Sequence, residues 1–258
     1  MPESFASADG VTFTTPDPDP DPAVDYAAQR VSYDRSGLVE ADLAPDPAAP
    51  TPLAQFERWY ADAVQAGLAE PNARVLSTVG ADGSPSVRTV LLKGADRRGF
   101  TFYTNYESRK GGQIAGEPRV ALLFPWHAMA RQVAVRGVVE RVSAQETAEY
   151  FAVRPWGSRI GAWASRQSQP LASRAQLEAR WQEIAEQYPD HGRPDDVPVP
   201  PHWGGFLVRP VEVEFWAGRT SRLHDRLVFE PVPPAAGAAG APPALDDAVS
   251  WQVTRRQP

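Results

Sequence analysis

The stretch ARVLSTVGADGSPSVRTVLLK, Ala73 to Lys93, sets two short apolar runs on either side of Asp82-Gly83. Asp and Gly tolerate the backbone angles of a tight reversal, so the stretch reads as two antiparallel strands joined by a hairpin turn. Runs of the same kind follow as GFTFYTN from Gly99, RVALLFPW from Arg119 and RQVAVRGVVERV from Arg131. They return later as GFLVRPVEVEFW from Gly205, SRLHDRLVF from Ser221 and SWQVTR from Ser250. Strands joined as hairpins predict an antiparallel barrel or sandwich, not a doubly wound parallel sheet. No GxGxxG and no GxxxxGK followed by Ser or Thr stands behind a strand, so neither a dinucleotide fingerprint nor a P-loop is supported.

A few helices surround these strands. Thr51-Pro52 supplies an N-cap and first helical position, and Phe56, Tyr60 and Val64 then fall on one face. Ser143 with Glu146, and Ser173 with Gln176, are capping boxes. The second opens a helix carrying Leu177, Trp181, Ile184 and Tyr188 on one stripe. The expected fold is mainly β with peripheral helices. Residues 1–28, with TTPDPDPDPAVD, are expected to be a disordered tail, because Pro lacks a donor and neighbouring Asp residues repel. Residues 29–258 form one expected domain, interrupted by PVPPAAGAAGAPPALDD over Pro231–Asp247, which reads as a flexible loop.

Composition narrows the chemistry. The 258 residues carry a net charge of −6, against the basic footprint usual for nucleic-acid binding. Cysteine is absent, which removes thiolate catalysis, disulfides and iron–sulfur ligation. Four histidines without HxxxH or HxH spacing give no transition-metal set, so redox work would fall to an organic cofactor. No apolar run is long enough to span a bilayer and MPESFASADGVTF is not a secretory leader, so a cytoplasmic protein without membrane partners is expected.

Several groups could bind anions. In a strand, Arg222, His224 and Arg226 would share a face with Trp216 upstream, suiting a planar or anionic ligand; a solvated basic face has the same spacing. Arg88 and Lys93 fall on opposite faces of an ideal strand and would serve two anions, or are surface charges. Tyr103-Thr104 followed by Ser108-Arg109-Lys110 passes from strand into helix, where amides and cations can cradle a phosphate. Gln132 could bond a heterocycle edge, Tyr150, Arg154 and Ser158 cluster at a helix end, and Gln167-Ser168 lies in a polar loop. Each also has a purely structural reading.

The order of motifs adds what spacing leaves open. RxxY at Arg30–Tyr33, FERW, RTVLLK, FYTNYESRKGGQ, FPWHAMARQV, YFAVRPWGSRIGAWAS, RQS, HWGGF, EFWAGRTSRLHDR and a closing WxxxR resemble the pyridoxamine 5′-phosphate oxidases. The resemblance implies an antiparallel FMN-binding split β-barrel, a homodimer with both sites at the interface, and oxidation of pyridoxamine or pyridoxine 5′-phosphate by O2. By motif, it implies FMN contacts from Arg88, Tyr103, Thr104, Arg109, Lys110, Gln132, Gln167, Ser168, Trp216 and Arg226. The substrate phosphate would be held by Lys93, Tyr150, Arg154 and Ser158. Arg222 and His224 would lie over the substrate ring as the catalytic pair, covered by Arg30 and Tyr33. One departure is Arg256, where the family usually has Leu. Same-fold oxidases of phenazine-pathway intermediates, and non-catalytic flavin or pyridoxal-phosphate carriers, share parts of this pattern.

Overall fold

A computed structural model describes residues 49–233 and 242–258. The expected N-terminal tail, Arg30 and Tyr33, and the centre of the Ala/Pro/Gly stretch lie outside the described residues. Past that centre, Leu245 is fully buried; its N–H donates to the Arg97 carbonyl and its carbonyl accepts from the Leu53 N–H. The C-terminal end of the stretch is therefore anchored to the core.

The strands are β1 (Ala73–Val79), β2 (Pro85–Leu91), β3 (Gly94–Asp96), β4 (Gly99–Asn105), β5 (Arg119–Trp126), β6 (Arg131–Arg141), β7 (Trp203–Ala217), β8 (Asp225–Pro231) and β9 (Trp251–Arg255). All pair antiparallel in the order β2-β1-β5-β6-β7-β4-β3, with β8 between β7 and β9. Long β7 branches the sheet: β6 runs along one edge, while the other edge is shared by β4 and then β8. That branching makes a split barrel, the mainly β architecture that the motifs imply. The β1–β2 hairpin forms as expected, through residues 80–84, where Asp82 accepts from the Ser84 N–H and Gly83 takes φ +80°. Where β6 shifts register between Arg136 and Gly137, a Cβ on Gly137 would lie 2.6 Å from the Arg209 carbonyl oxygen, so only glycine fits.

Among the described residues five α-helices lie around the sheet: α1 (Pro52–Gln65), α2 (Arg109–Gly116), α3 (Ala144–Ala152), α4 (Trp156–Ala164) and α5 (Arg174–Gln187). Thr51 and Ser143 cap α1 and α3 as expected, and the Ser143–Glu146 box is reciprocal. Ser173 caps α5 from one side only, through the Gln176 N–H. On α1 the buried face is Phe56, Trp59 and Ala63, whereas Val64 is 54 % exposed. The stripe thus follows i, i+3, i+7, and the step to Val64 overshoots it. Phe56 packs at 4.8 Å from Phe100 and 5.0 Å from Phe124, and Trp59 at 5.3 Å from Phe215. A second cluster joins Phe151, Ile160, Val197 and Trp203 with one face of α5.

Arg74, inside the barrel on β1, is fully buried. One Nη2 donates 3.0 Å to the Thr101 carbonyl, while Nε and Nη1 have no partner among the described residues. Burial holds its pKa down to about 9. The Thr101 carbonyl also accepts from the Lys93 N–H at 2.9 Å, so removing the guanidinium leaves it satisfied. Arg74→Met is therefore expected to raise stability by about 1–3 kcal/mol, measured as a shift in the urea midpoint. A lower midpoint would show that the guanidinium contributes more than its desolvation costs.

Candidate active site

Eight of the residues singled out by sequence line one cavity of about 730 Å³: Lys93, Tyr103, Thr104, Lys110, Tyr150, Arg154, Ser158 and Gln167. Strand β4 delivers Tyr103 and Thr104. Asn105 to Ser108 then turn the chain into α2, whose N-cap Ser108 accepts from the Gly111 N–H. Lys110, in the first turn, is held under the cavity floor. Its Nζ donates 2.6 Å to Gln167 Oε1, 2.9 Å to Thr104 Oγ1 and 3.3 Å to Ser108 Oγ. All three partners are neutral. Burial, and secondarily the nearby Arg88, lower its pKa to about 8.

The opposite wall comes from α3 and the start of α4. Tyr150 stacks 4.0 Å from Tyr103, and Arg154 lies 4.6 Å over the Trp203 ring. Arg154 Nη1 is buried with no partner among the described residues, and burial lowers its pKa. Lys93 sits just past the end of β2, with Nζ 6.0 Å from the Tyr150 ring. Leaving the strand frees it from β alternation, so its face is set by the turn into β3. Burial first, and Glu146 second, push the Tyr103 hydroxyl up to about 12, so it stays protonated as a donor. Of the cations that line the cavity, Lys93, Lys110 and Arg154 have no carboxylate partner among the described residues. In a chain of net charge −6, that leaves a cavity whose electrostatics call for an anion.

Arg88 stands behind this wall. Its Nη1 donates 2.6 Å to Thr78 Oγ1 and also to the Leu76 and Ser86 carbonyls, and Nη2 donates 3.1 Å to Gln113 Oε1. Gln113 also accepts from Thr78 and donates to Ser86, so it orients Arg88. Sequence reasoning passed over Gln113 and Trp203. The first could have been found from its spacing of three and four residues from Lys110 and Arg109 on one helix face. Arg109 and Ser168 are exposed and do not line the cavity, and Ser168 adopts φ +73°.

The remaining predicted residues lie elsewhere. Gln132, Trp216 and Arg226 stand on one rung of adjacent strands β6, β7 and β8. The basic strand face expected for Arg222, His224 and Arg226 does not form. After β7 ends at Ala217, Thr220–Arg222 make a short 3-10 turn with Ser221 and Arg222 at φ 56° and 61°, and β8 begins only at Asp225. The Gly218 N–H still donates to the Ala130 carbonyl, continuing the β6–β7 register, and the chain turns away only after it. His224 nonetheless packs on Trp216, ring centroids 4.7 Å apart. Its Nδ1 accepts from the Arg219 N–H at 3.0 Å, which places the ring proton on Nε2. Burial and Arg222 lower its pKa, reinforcing the neutral form. Arg226 pairs with Glu214 at 2.6 Å, and the departure Arg256 pairs with Glu230 at 2.8 Å.

None of Gln132, Trp216, Arg222, His224 and Arg226 lines the cavity. Thr104 pairs with Gly204 and Gln132 with Trp216, so the two clusters are separated along β7 by twelve residues. That is about 40 Å of strand contour.

Fold and site together define a split-barrel protein with an anion-receptive cavity. The sequence matches the family described as "Pyridoxamine 5'-phosphate oxidase" over residues 60–188. It also matches "Pyridoxine 5'-phosphate oxidase C-terminal dimerisation region" over residues 203–258. A pyridoxine/pyridoxamine 5′-phosphate oxidase of Kineococcus radiotolerans is 58% identical over 91% of this chain and 99% of its own. Among solved structures, PhzG from Burkholderia lata 383, in complex with tetrahydrophenazine-1-carboxylic acid, aligns with a TM-score of 0.71 at 28% identity, covering 83% of this chain and 95% of that one. A pyridoxamine 5′-phosphate oxidase-related, FMN binding protein of Nostoc punctiforme shares the fold, with a TM-score of 0.57 at 17% identity over 79% of this chain and 97% of that one. The chain belongs to the pyridoxamine 5′-phosphate oxidase family, a family of oxidoreductases.

Proposed function

We propose that this protein oxidises pyridoxamine and pyridoxine 5′-phosphate to pyridoxal 5′-phosphate, with FMN as cofactor and O2 as final acceptor. The observation that carries the reading is the cavity, where, among the described residues, buried or half-buried Lys110 and Arg154 lack any carboxylate and Arg154 Nη1 lacks any partner. Two phosphorylated ligands supply the missing charge. Lys110, Thr104 and Gln167, backed by Arg88 and Arg109, suit the cofactor phosphate; Lys93, Tyr150, Arg154 and Ser158 suit the substrate phosphate. Bound FMN would supply the two-electron acceptor, with oxygen reduced to hydrogen peroxide.

The protein is a homodimer in this reading. A site needing both the cavity and the Trp216–His224 cluster cannot draw them from one chain across some 40 Å of strand. A second copy can bring its β7–β8 turn to the first copy's cavity, consistent with the name of the matched C-terminal region. His224 would present its Nε2–H to the substrate's amine or hydroxyl while Arg222 holds the ring, so that little reorganisation is needed during the reaction.

One observation favours a second reading: the similar PhzG structure is complexed with a tricyclic carboxylic acid. Against it stands the four-group clamp of Lys93, Tyr150, Arg154 and Ser158, more than one carboxylate requires. Purified protein should show a flavin spectrum and, in air, convert pyridoxamine 5′-phosphate to pyridoxal 5′-phosphate with peroxide release. Yellow protein that leaves this substrate untouched, or colourless protein that takes up no FMN, would sink the reading.

Lys110 adds a pH test. With its pKa near 8, the unliganded lysine loses its proton above that pH, and binding a phosphate must then recruit one. FMN affinity should be flat below pH 8 and then fall by up to about tenfold per pH unit. Fluorescence titration from pH 7 to 9.5 reads this; a flat profile would mean that Lys110 does not meet the phosphate.

A further inference from the structure

We propose that Asp225 is a positioning residue for this reaction, holding the β7–β8 turn and fixing the tautomer of His224; the inference rests on the oxidase reading above. The turn is exposed, with Leu223 at 71%, and it carries two non-glycine residues in left-handed backbone geometry. L-residues disfavour that geometry, so the conformation persists only where neighbours over-determine it. Asp225, the first residue of β8, does so from both carboxylate oxygens. Oδ2 accepts from Arg219 Nε at 2.7 Å, and Oδ1 accepts from Arg255 Nη1 on β9. Both Asp225 and Arg219 side chains are only 17% exposed, so this pair is better shielded than an ordinary surface bridge.

The link to chemistry is Arg219 itself. Its guanidinium is held by Asp225 while its backbone N–H donates to His224 Nδ1 at 3.0 Å. An N–H donor at Nδ1 requires that nitrogen to be unprotonated, which leaves Nε2–H as the group offered to a ligand. Asp225 thus acts two bonds away: carboxylate to Arg219 side chain, Arg219 backbone to imidazole. Losing the carboxylate removes this hold on Arg219 and weakens the contact that keeps Nδ1 unprotonated.

The test uses the FMN-loaded full chain. Asp225→Asn keeps the shape and removes the charge. It should lower kcat on pyridoxamine 5′-phosphate by about 10- to 100-fold, the scale of a misplaced reacting group, with flavin content and thermal midpoint near wild type. Asp225→Glu should recover part of the loss. Combining Asp225→Asn with His224→Ala should cost no more than His224→Ala alone, because one residue works through the other. Nitrogen-15 shifts of His224 give a readout independent of turnover: a single Nε2–H tautomer in wild type and a mixture in Asp225→Asn. Wild-type kcat in Asp225→Asn, losses that multiply in the double variant, or an unchanged tautomer would each overturn the proposal. Should Asp225→Asn fold poorly, Arg219→Met breaks the same pair from the other end and must give the same tautomer mixture. A wild-type enzyme with the single tautomer but no turnover would instead count against the oxidase reading.

Discussion

Arg222→Ala is expected to lower kcat on pyridoxamine 5′-phosphate by about 10²- to 10³-fold while leaving FMN affinity within a few-fold of wild type. Donors that stabilise charge only as it develops have effects of that size when removed. The residue is separate from the cation set around Lys110, which is where the cofactor phosphate fits, so its loss should fall on turnover. Its φ of 61° is a second reason for a large effect. A non-glycine residue kept in that region is held there by its surroundings, so the turn that presents Arg222 is fixed. Alanine tolerates the same backbone no better than arginine, so the turn should persist and the loss should report the guanidinium. Stopped-flow anaerobic reduction of the flavin isolates the step. A variant that purifies without flavin, yet reduces normally once reconstituted, would reverse the division of roles between Arg222 and the cavity.

The fold was readable where local rules suffice. Asp82-Gly83 marked its hairpin, Thr51-Pro52 and Ser143–Glu146 marked their helix starts, and period-two apolar runs marked strands β4 to β6. Period misled at SRLHDR, because a strand face and a turn can carry the same alternating residues. What separates them is the 3-10 turn at Thr220–Arg222, with Ser221 and Arg222 at positive φ, which the alternating spacing does not encode. For Lys93 the alternation argument lapsed because β2 stops at Leu91. Eight of the residues that the family motifs single out line one cavity, yet the order of the motifs along the chain says nothing about which share a pocket. The branching of β7 answers that, setting Thr104 and Trp216 at opposite ends of one strand. Gln113 contacts Arg88 and does not line the cavity, so a search for ligand-binding residue types passes over it.

Arg154→Ala is expected to raise KM for pyridoxamine 5′-phosphate by about 10²- to 10³-fold and to change kcat by much less. A charge-assisted hydrogen bond contributes about 1.5–3 kcal/mol, and a guanidinium gripping phosphate makes two, so a loss of about 3–4 kcal/mol is in scale. The effect should fall on KM because the phosphate is remote from the reacting carbon and is bound equally in ground and transition states. Folding should not suffer. In the free protein Arg154 is a half-buried cation with Nη1 unpartnered among the described residues, stacked at 4.6 Å on Trp203 and 5.5 Å from Phe151, and removing it relieves desolvation while losing two cation–π contacts. Unliganded Arg154→Ala should therefore melt within a few degrees of wild type, separating lost binding from lost structure. The sharper control is pyridoxamine without its phosphate. Wild type should use it poorly, and Arg154→Ala should use it no worse than wild type does, since the partner of the guanidinium is already gone. A variant that loses as much on the dephosphorylated amine would place Arg154 against the ring instead, and the cavity would then have to be read as a site for an aromatic acid.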